Sequence, residues 1–353
     1  MSKLKLPGLV DVHVHLREPG AAQKEDFSTG TKAAIAGGFT QILDMPNNTP
    51  PTTTPEQLQN KAGLAKDRIW CDLGFNFGAT QDSSQYFPQV CQKVFGLKLY
   101  MGKTTGPLLI SDPKEQELIF QSWPGPQPIM VHVNGPEVQQ VISLSQKYNK
   151  SVHVCHVTGD QMEFIVNAKK QNIKITCEVT PHHLFLQKND LPKLGSLGEM
   201  KPPLEDEASQ HLLWENLESI DMVATDHAPH TLAEKQQEPA PFGVPGLETA
   251  LPLMLNAVFE KKLSIEKLIS MMAEKPREIF YLPVQDDTYV QVEDAKVYPL
   301  ADLKLQTKCQ WTPFSSLQGR GEITKVVLRG TTVYEGGMFL GKPSGKVMRP
   351  QVT

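Results

Sequence analysis

Short apolar runs and stretches of helical periodicity alternate along most of this chain. Runs rich in Val, Ile, Leu and aromatic residues, bounded by Gly, Pro, Asn or Asp, predict strands at Leu9–Val14, Gln41–Met45, Trp70–Phe77, Gly96–Met101, Ile129–Val133, Val152–His156, Ile173–Glu178 and Asp221–Thr225. Between them the spacing predicts helices, for example over Ser28–Ala36, Pro55–Ala65, Pro136–Tyr148, Gln161–Gln171 and Glu205–Leu217. Eight strands alternating with helices fit a (β/α)8 TIM barrel. A doubly wound open sheet is the alternative, but no glycine-rich dinucleotide turn follows the first strand. Helical patterns at Leu247–Phe259, Ser264–Ala273 and Arg277–Tyr281 come next. From Thr288 onward the pattern turns to β, with Tyr289–Val292, Gly321–Leu328 and Thr331–Phe339 as strands. The reading is a barrel over residues 1–287 and a small β-rich appendage over residues 288–353.

Composition narrows the class. The chain has 353 residues, 39% hydrophobic and 21% charged, as expected of a globular enzyme. A net charge of −4 and the lack of any Lys/Arg-rich run argue against a nucleic-acid partner. No signal peptide and no segment of membrane-spanning length is visible. Cys71, Cys91, Cys155, Cys177 and Cys309 are too few and too scattered for a disulfide framework, which fits a reducing, cytoplasmic setting. Asn47-Asn48-Thr49 and Asn149-Lys150-Ser151 match the glycosylation pattern, but with no secretory signal they read as accidental.

The polar residues at the predicted strand ends carry the chemistry. Residues two apart on a strand share a face, so His13 and His15 project together, which suits two imidazoles on one metal ion. Arg17 follows on the same parity before Pro19-Gly20 turns the chain. The second strand runs into Asp44-Met45-Pro46-Asn47-Asn48, and the fourth carries Lys98. The fifth, sixth, seventh and eighth end at His132, His156, Glu178 and Asp226. Barrels gather their chemistry at these C-terminal strand ends. Any one of these histidines alone reads as a hydrogen-bonded structural residue; their recurrence at strand after strand points to a metal site. Lys98, between Leu97 and Leu99, puts a charge in an apolar strand. An ion pair is the default answer, and covalent modification of a neutral amine is the other.

These motifs resemble the dihydroorotases of the amidohydrolase superfamily, and most of all the dihydroorotase domain of the large pyrimidine-synthesis multienzyme of animals. The likeness runs through Leu6-Pro7-Gly8 into His13-Val14-His15-Leu16-Arg17-Glu18-Pro19-Gly20, then Asp44-Met45-Pro46-Asn47, Gly96-Leu97-Lys98-Leu99-Tyr100 and Val154-Cys155-His156-Val157. It continues in Cys177-Glu178-Val179, Pro181-His182-His183, Asp226-His227-Ala228-Pro229-His230-Thr231 and Pro245-Gly246-Leu247-Glu248-Thr249. The resemblance implies a zinc-dependent cyclic amide hydrolase of the amidohydrolase barrel type. Its reaction is the reversible cyclisation of N-carbamoyl-L-aspartate to L-dihydroorotate in de novo pyrimidine synthesis.

Carried over by position, the resemblance implies that His13, His15 and Asp226 bind one zinc ion and His132 and His156 a second. Lys98, carboxylated to N6-carboxylysine, bridges both, and the carbamate removes the buried-cation conflict. Two such metals, about 3.5–4 Å apart, acidify a water and polarise a carbonyl. Asp226 then moves the proton to the leaving nitrogen. The resemblance also implies that Arg17, Asn47 and His230 hold the substrate carboxylates, that Thr104 in the mobile loop Met101–Ser111 touches substrate, and that Cys155 and Glu178 bind a third zinc. A plain buried thiol is the other reading of Cys155. A cytoplasmic homodimer is the implied assembly. The start almost at the first barrel strand suggests a domain of a longer polypeptide, alongside carbamoyl phosphate synthetase and aspartate transcarbamoylase.

Some positions depart from the family pattern. Lys201 stands where the animal domain has arginine, so it pairs with a carboxylate as a point charge rather than a fork. Thr105 replaces an aromatic, and Val133-Asn134 replaces Ala-Glu. Gly102-Lys103-Thr104 imitates a phosphate loop, but Gly96 is one residue too distant. His182 and His183 open a short helix, where a supporting role outweighs direct metal contact. Two competing readings stay open: a hydantoinase or allantoinase with the same ligands, and an inactive dihydroorotase-like structural domain. Arg17 and Asn47 favour a dicarboxylic substrate, and all six ligand positions are filled.

Overall fold

Parallel strands wind into a barrel in the computed structural model, which describes residues 3–102 and 106–352. Among these residues the barrel strands are Leu9–Val14, Phe39–Asp44, Asp72–Phe75 continued by Phe77–Gly78, Leu97–Tyr100, Ile129–His132, Val152–Val154, Ile175–Val179 and Met222–Val223. Each pairs with the next in chain order. The third strand breaks at Asn76, pairing with the second strand before the break and the fourth after it. A bridge between Val14 and His227 closes the eighth strand onto the first. The expected barrel is what forms.

The helices start where the sequence caps them. Asp26 and Thr29 make a reciprocal capping box for Phe27–Ala36, and Thr54 with Gln57 does so for Pro55–Ala65. The expected breaks near the end of the barrel resolve differently. Ile265–Ile269 passes through a π-helical turn, Ser270–Glu274, straight into Lys275–Ile279. Pro276 has no N–H to give the preceding turn, so the helix widens there rather than stopping. Among the described residues no helix is long and apolar enough to cross a membrane.

A second, antiparallel sheet sits beside the barrel, built from Tyr289–Pro299, Gln318–Leu328, Thr331–Glu335 and Met338–Phe339. Its other edge is Lys3–Pro7, running from Lys3 opposite Glu293 to Pro7 opposite Tyr289. A strand therefore precedes the first barrel strand, where the sequence pattern begins almost at Leu9. Only Leu4 and Leu6 alternate with Lys3 and Lys5, too short a pattern to stand out. Residues 300–317 link the two long strands and run back over the barrel. There Leu300, Trp311 and Phe314 pack with Met200, Val244 and Leu253.

Candidate active site

The first strand carries the central irregularity. Val10 and Val12 join the barrel's inner cluster with Leu43, Met130 and Cys155. Strict alternation would then turn His13 and His15 away from the interior. The pairing with the second strand slips between Asp11 and Val14, and this slip re-aims both histidines into the barrel mouth. Asp11, fully buried, accepts from the His13 N–H and from Thr225 just past the eighth strand. Burial outweighs those donors and raises its carboxyl to about 7.

One cavity is lined by His13, His15, Arg17, Asn47, Lys98, Tyr100, His132, His156, Lys201 and Asp226, with Ala228, Phe242 and Gly243. The six ligand positions expected from the sequence therefore meet in one place. Asp226 Oδ1 lies 2.9 Å from His15 Nε2 and 3.4 Å from His13 Nε2. His132 Nδ1 is 2.9 Å from His156 Nε2, and Lys98 Nζ is 2.9 Å from Cys155 Sγ. Asn47 Oδ1 sits 2.7 Å from His15 Nδ1. Arg17, His156 and Asp226 all have positive φ, at 63°, 36° and 47°, a backbone region that side chains other than glycine adopt only when their surroundings enforce it.

Electrostatics mark the floor of this cavity as a place for positive charge. Burial opposes a proton on His13, but Glu178 and Asp226 outweigh it and push the imidazole up to about 10. Burial likewise opposes charge on Asp226, yet His13 and His15 hold it well below the usual carboxylate range. His132 is driven down to about 3 by burial and by Lys98, and His156 is also lowered well below the ordinary value. Both rings are neutral, and His132 Nε2 and His156 Nδ1 are buried without hydrogen-bond partners. Buried neutral imidazoles with free nitrogens beside ionised carboxylates are what a divalent cation requires. Ligand atoms of His13, His156 and Asp226 lie within 4.8 Å of one another, as do those of His13, Cys155 and Glu178. The residues present fit a metal centre.

Glu178 holds two imidazoles, besides accepting from the His156 N–H at 3.3 Å. One oxygen bonds His13 Nδ1, and the other lies 3.0 Å from His153 Nε2, whose Nδ1 meets Thr176 Oγ1 at 2.9 Å. Sequence reasoning missed His153, because a single histidine between two valines looks structural. It also passed over Tyr100, whose hydroxyl is buried without a partner in the cavity wall; burial raises it well above the usual phenol value. His183 bonds Thr180 and the Pro202 carbonyl, while His182 Nε2 is buried and unpartnered, both on the short helix Pro181–Phe185.

The rim is built from loops. Arg17 Nε donates to the Pro229 carbonyl at 3.0 Å, and its Nη2 lies 3.1 Å from His230 Nε2. Lys24 Nζ approaches His230 Nδ1 at 3.2 Å. Burial, with Arg17 and Lys24 adding to it, lowers His230 to about 2, so the ring is neutral. Lys201 Nζ lies 4.1 Å over the Phe242 ring. Lys235, fully buried, donates to the carbonyls of Glu199, Pro241 and Gly243 and so ties the loops bearing Lys201 and Phe242 together. Thr104 and Thr105 lie outside the described residues.

Comparison with known proteins agrees with this geometry. A family model described as dihydro-orotase-like matches residues 2–69. The chain is 41% identical to the multifunctional protein CAD of Squalus acanthias over 96% of its length, and it spans 15% of that much longer relative. It is 34% identical to a dihydroorotase of Pyrococcus horikoshii, covering 98% of this chain and 84% of the relative. Among solved structures, an L-hydantoinase (dihydropyrimidinase) from Arthrobacter aurescens superposes with a TM-score of 0.92 at 25% identity, covering 99% of this chain and 89% of that one. An inactive dihydroorotase-like domain of the Chaetomium thermophilum CAD-like multifunctional protein superposes with a TM-score of 0.84 at 25% identity, covering 99% and 100%.

Fold and site together define a TIM barrel of the amidohydrolase type with a β-rich addition. More narrowly, the chain belongs to the dihydroorotase family.

Proposed function

We propose that this chain is a zinc-dependent dihydroorotase of pyrimidine synthesis, interconverting N-carbamoyl-L-aspartate and L-dihydroorotate. The observation that carries the reading is the placement of Arg17, Asn47, Lys201 and His230 in or beside the same cavity as His13, His15, Lys98, His132, His156 and Asp226. His13, His15 and Asp226 would hold one zinc ion, His132 and His156 a second, with Lys98 as N6-carboxylysine between them. Bound there, zinc supplies a Lewis acid for the ring carbonyl and lowers the pKa of water.

The chain's own groups supply the rest. Arg17, locked by the Pro229 carbonyl, presents its remaining N–H groups to a substrate carboxylate, which a planar fork matches in two hydrogen bonds. Neutral His230 and the Asn47 amide add polar partners, and Lys201 adds charge at the mouth. Asp226, kept ionised by His13 and His15, accepts the proton of the attacking water and returns it to the ureido nitrogen as the ring amide opens; cyclisation reverses that transfer. Glu178 orients His13 by its bond to Nδ1. The cluster of His13, Cys155 and Glu178 is compact enough for a third cation.

The wider setting is part of the same proposal: a cytoplasmic homodimer inside a multienzyme with carbamoyl phosphate synthetase and aspartate transcarbamoylase. The multienzyme part is supported by the multifunctional relatives of Squalus acanthias and Dictyostelium discoideum, of which the chain spans 15%. Elemental analysis with an assay on L-dihydroorotate and on a neutral hydantoin tests the reading. About two zinc ions per chain and turnover of dihydroorotate support it. Preference for the hydantoin hands the site to the hydantoinase reading, and a metal-free, inactive chain hands it to a structural role.

A further inference from the structure

Residues 300–317 take no part in strand pairing, yet their middle grips two of the loops that carry the rim, those bearing Arg17 and His230. Trp311 Nε1 donates to the His230 carbonyl at 2.8 Å. Thr307 Oγ1 donates to Glu25, and the Lys308 N–H lies 3.3 Å from the same carboxylate. Lys308 Nζ reaches the Ala22 carbonyl at 2.7 Å. The segment is itself held against the helix Leu247–Phe259, where Glu248 accepts from Gln306 N at 2.7 Å and from Thr307 N at 3.1 Å.

Glu25 is the centre of this arrangement. It is fully buried, and its oxygens face the hydroxyls of Thr29 and Thr307, the Lys308 N–H and, at 3.5 Å, His227 Nε2. His227 Nδ1 accepts from the Gly246 N–H at 3.2 Å, which turns Nε2, itself without a hydrogen-bond partner, toward Glu25. The His227 carbonyl in turn accepts from the His15 N–H at 2.8 Å. One carboxylate therefore joins the loop that carries Arg17 and Lys24, the turn from Asp226 to His230, and the crossing segment.

Burying a carboxylate costs free energy that apolar packing between the same loops avoids. What the carboxylate adds is direction. Its oxygen, 3.5 Å from Nε2, faces the His227 ring on the side opposite the Gly246 N–H, next to Asp226, whose positive φ has to be enforced from outside. We propose that Glu25 and the segment 304–312 form a positioning brace for the reaction, with Glu25 acting through His227 on Asp226 and Trp311 acting directly on His230. The proposal rests on the dihydroorotase reading of the cavity.

The two arms predict different kinetic signatures on the zinc-loaded full chain. Glu25→Gln keeps the side chain's size but presents an N–H₂ to donors, and is expected to lower kcat by about tenfold with KM within about threefold. Trp311→Phe keeps an aromatic ring but removes its N–H, and is expected to raise KM for dihydroorotate about fivefold with kcat within about twofold. Zinc content is expected to match the parent in both. Thr307→Val, which deletes one donor to Glu25, should show the same kcat-only loss at about threefold, and it stands in if Glu25→Gln does not fold. Variants that lower only the melting temperature, with kcat and KM within about twofold of the parent, overturn the brace. A parent that turns over only neutral hydantoins overturns the substrate reading instead; kcat of the Glu25 and Thr307 variants is then read on the hydantoin, so the two claims fail separately.

Discussion

The floor and the rim of the cavity are made by different means. On the floor, His13, His15, Lys98, His132, His156 and Asp226 stand on or just past strand ends, and the parallel ladder sets their spacing before any side chain interacts. On the rim, Arg17, Lys201, His230 and Phe242 ride on loops. Their positions come from side chains bonded to distant carbonyls, Arg17 to Pro229 and Lys235 to Glu199, Pro241 and Gly243. The floor is therefore a property of the barrel, whereas the rim depends on individual contacts that one substitution can undo. Chemistry should fail abruptly on one side of that boundary and specificity should fail gradually on the other.

The sharpest break is expected at Lys98. Lys98→Ala removes the proposed bridging anion, and Lys98→Arg supplies a cation that cannot be carboxylated, so both should lose about a thousandfold or more in kcat and retain zinc poorly. Near-normal turnover by the arginine variant would show the lysine to be only an ion-pair partner. Asp226→Asn comes next, with kcat down by about 10²–10⁴ and substrate affinity partly kept, measured by calorimetry against dihydroorotate.

The rim should respond differently. Arg17→Lys keeps the charge and loses the fork, so kcat/KM for dihydroorotate is expected to fall at least about tenfold, in line with about 1.5–3 kcal/mol for a charged hydrogen bond. Zinc content and any weak turnover of a neutral hydantoin should be unchanged. The smallest effect lies behind the rim, at Glu248. Burial raises its carboxyl from 4.5 to about 8 in the folded chain, against the pull of the Gln306 and Thr307 N–H groups. The folded state therefore holds this proton more tightly than the unfolded one. That contribution to stability is complete below about pH 4.5 and is lost as pH rises through about 8. Glu248→Gln keeps an acceptor oxygen and should flatten the fall in melting temperature across that window; an unaltered profile would count against a titrating Glu248.

The same boundary separates what the sequence revealed from what it hid. His132, His156 and Asp226 were legible because strand ends recur in a fixed alternation with helices. The slip between Asp11 and Val14 was not, since nothing local in Asp11-Val12-His13-Val14 announces it, and simple parity still paired His13 with His15 correctly. Glu25 and Lys235 were invisible because their partners are a side chain hundreds of residues away, Thr307 for Glu25, or backbone carbonyls, those of Glu199, Pro241 and Gly243 for Lys235. Lys3–Pro7 was missed for a related reason: its two apolar residues make sense only once Tyr289–Pro299 lies beside them.

That first strand also bears on how the chain is made. Lys3 is synthesised long before Glu293 and has to wait for it before it can pair. Until then Leu6 has no strand to lie against. The tail adds to the delay, because Gly345 and Met348 donate to the carbonyls of Ile69 and Leu73 beneath the third barrel strand. Contacts this far apart in sequence are slow to form and leave an unpaired strand exposed meanwhile. Folding can be completed only when nearly the whole chain has been synthesised, so truncation from either end should leave an aggregation-prone barrel rather than a smaller stable one.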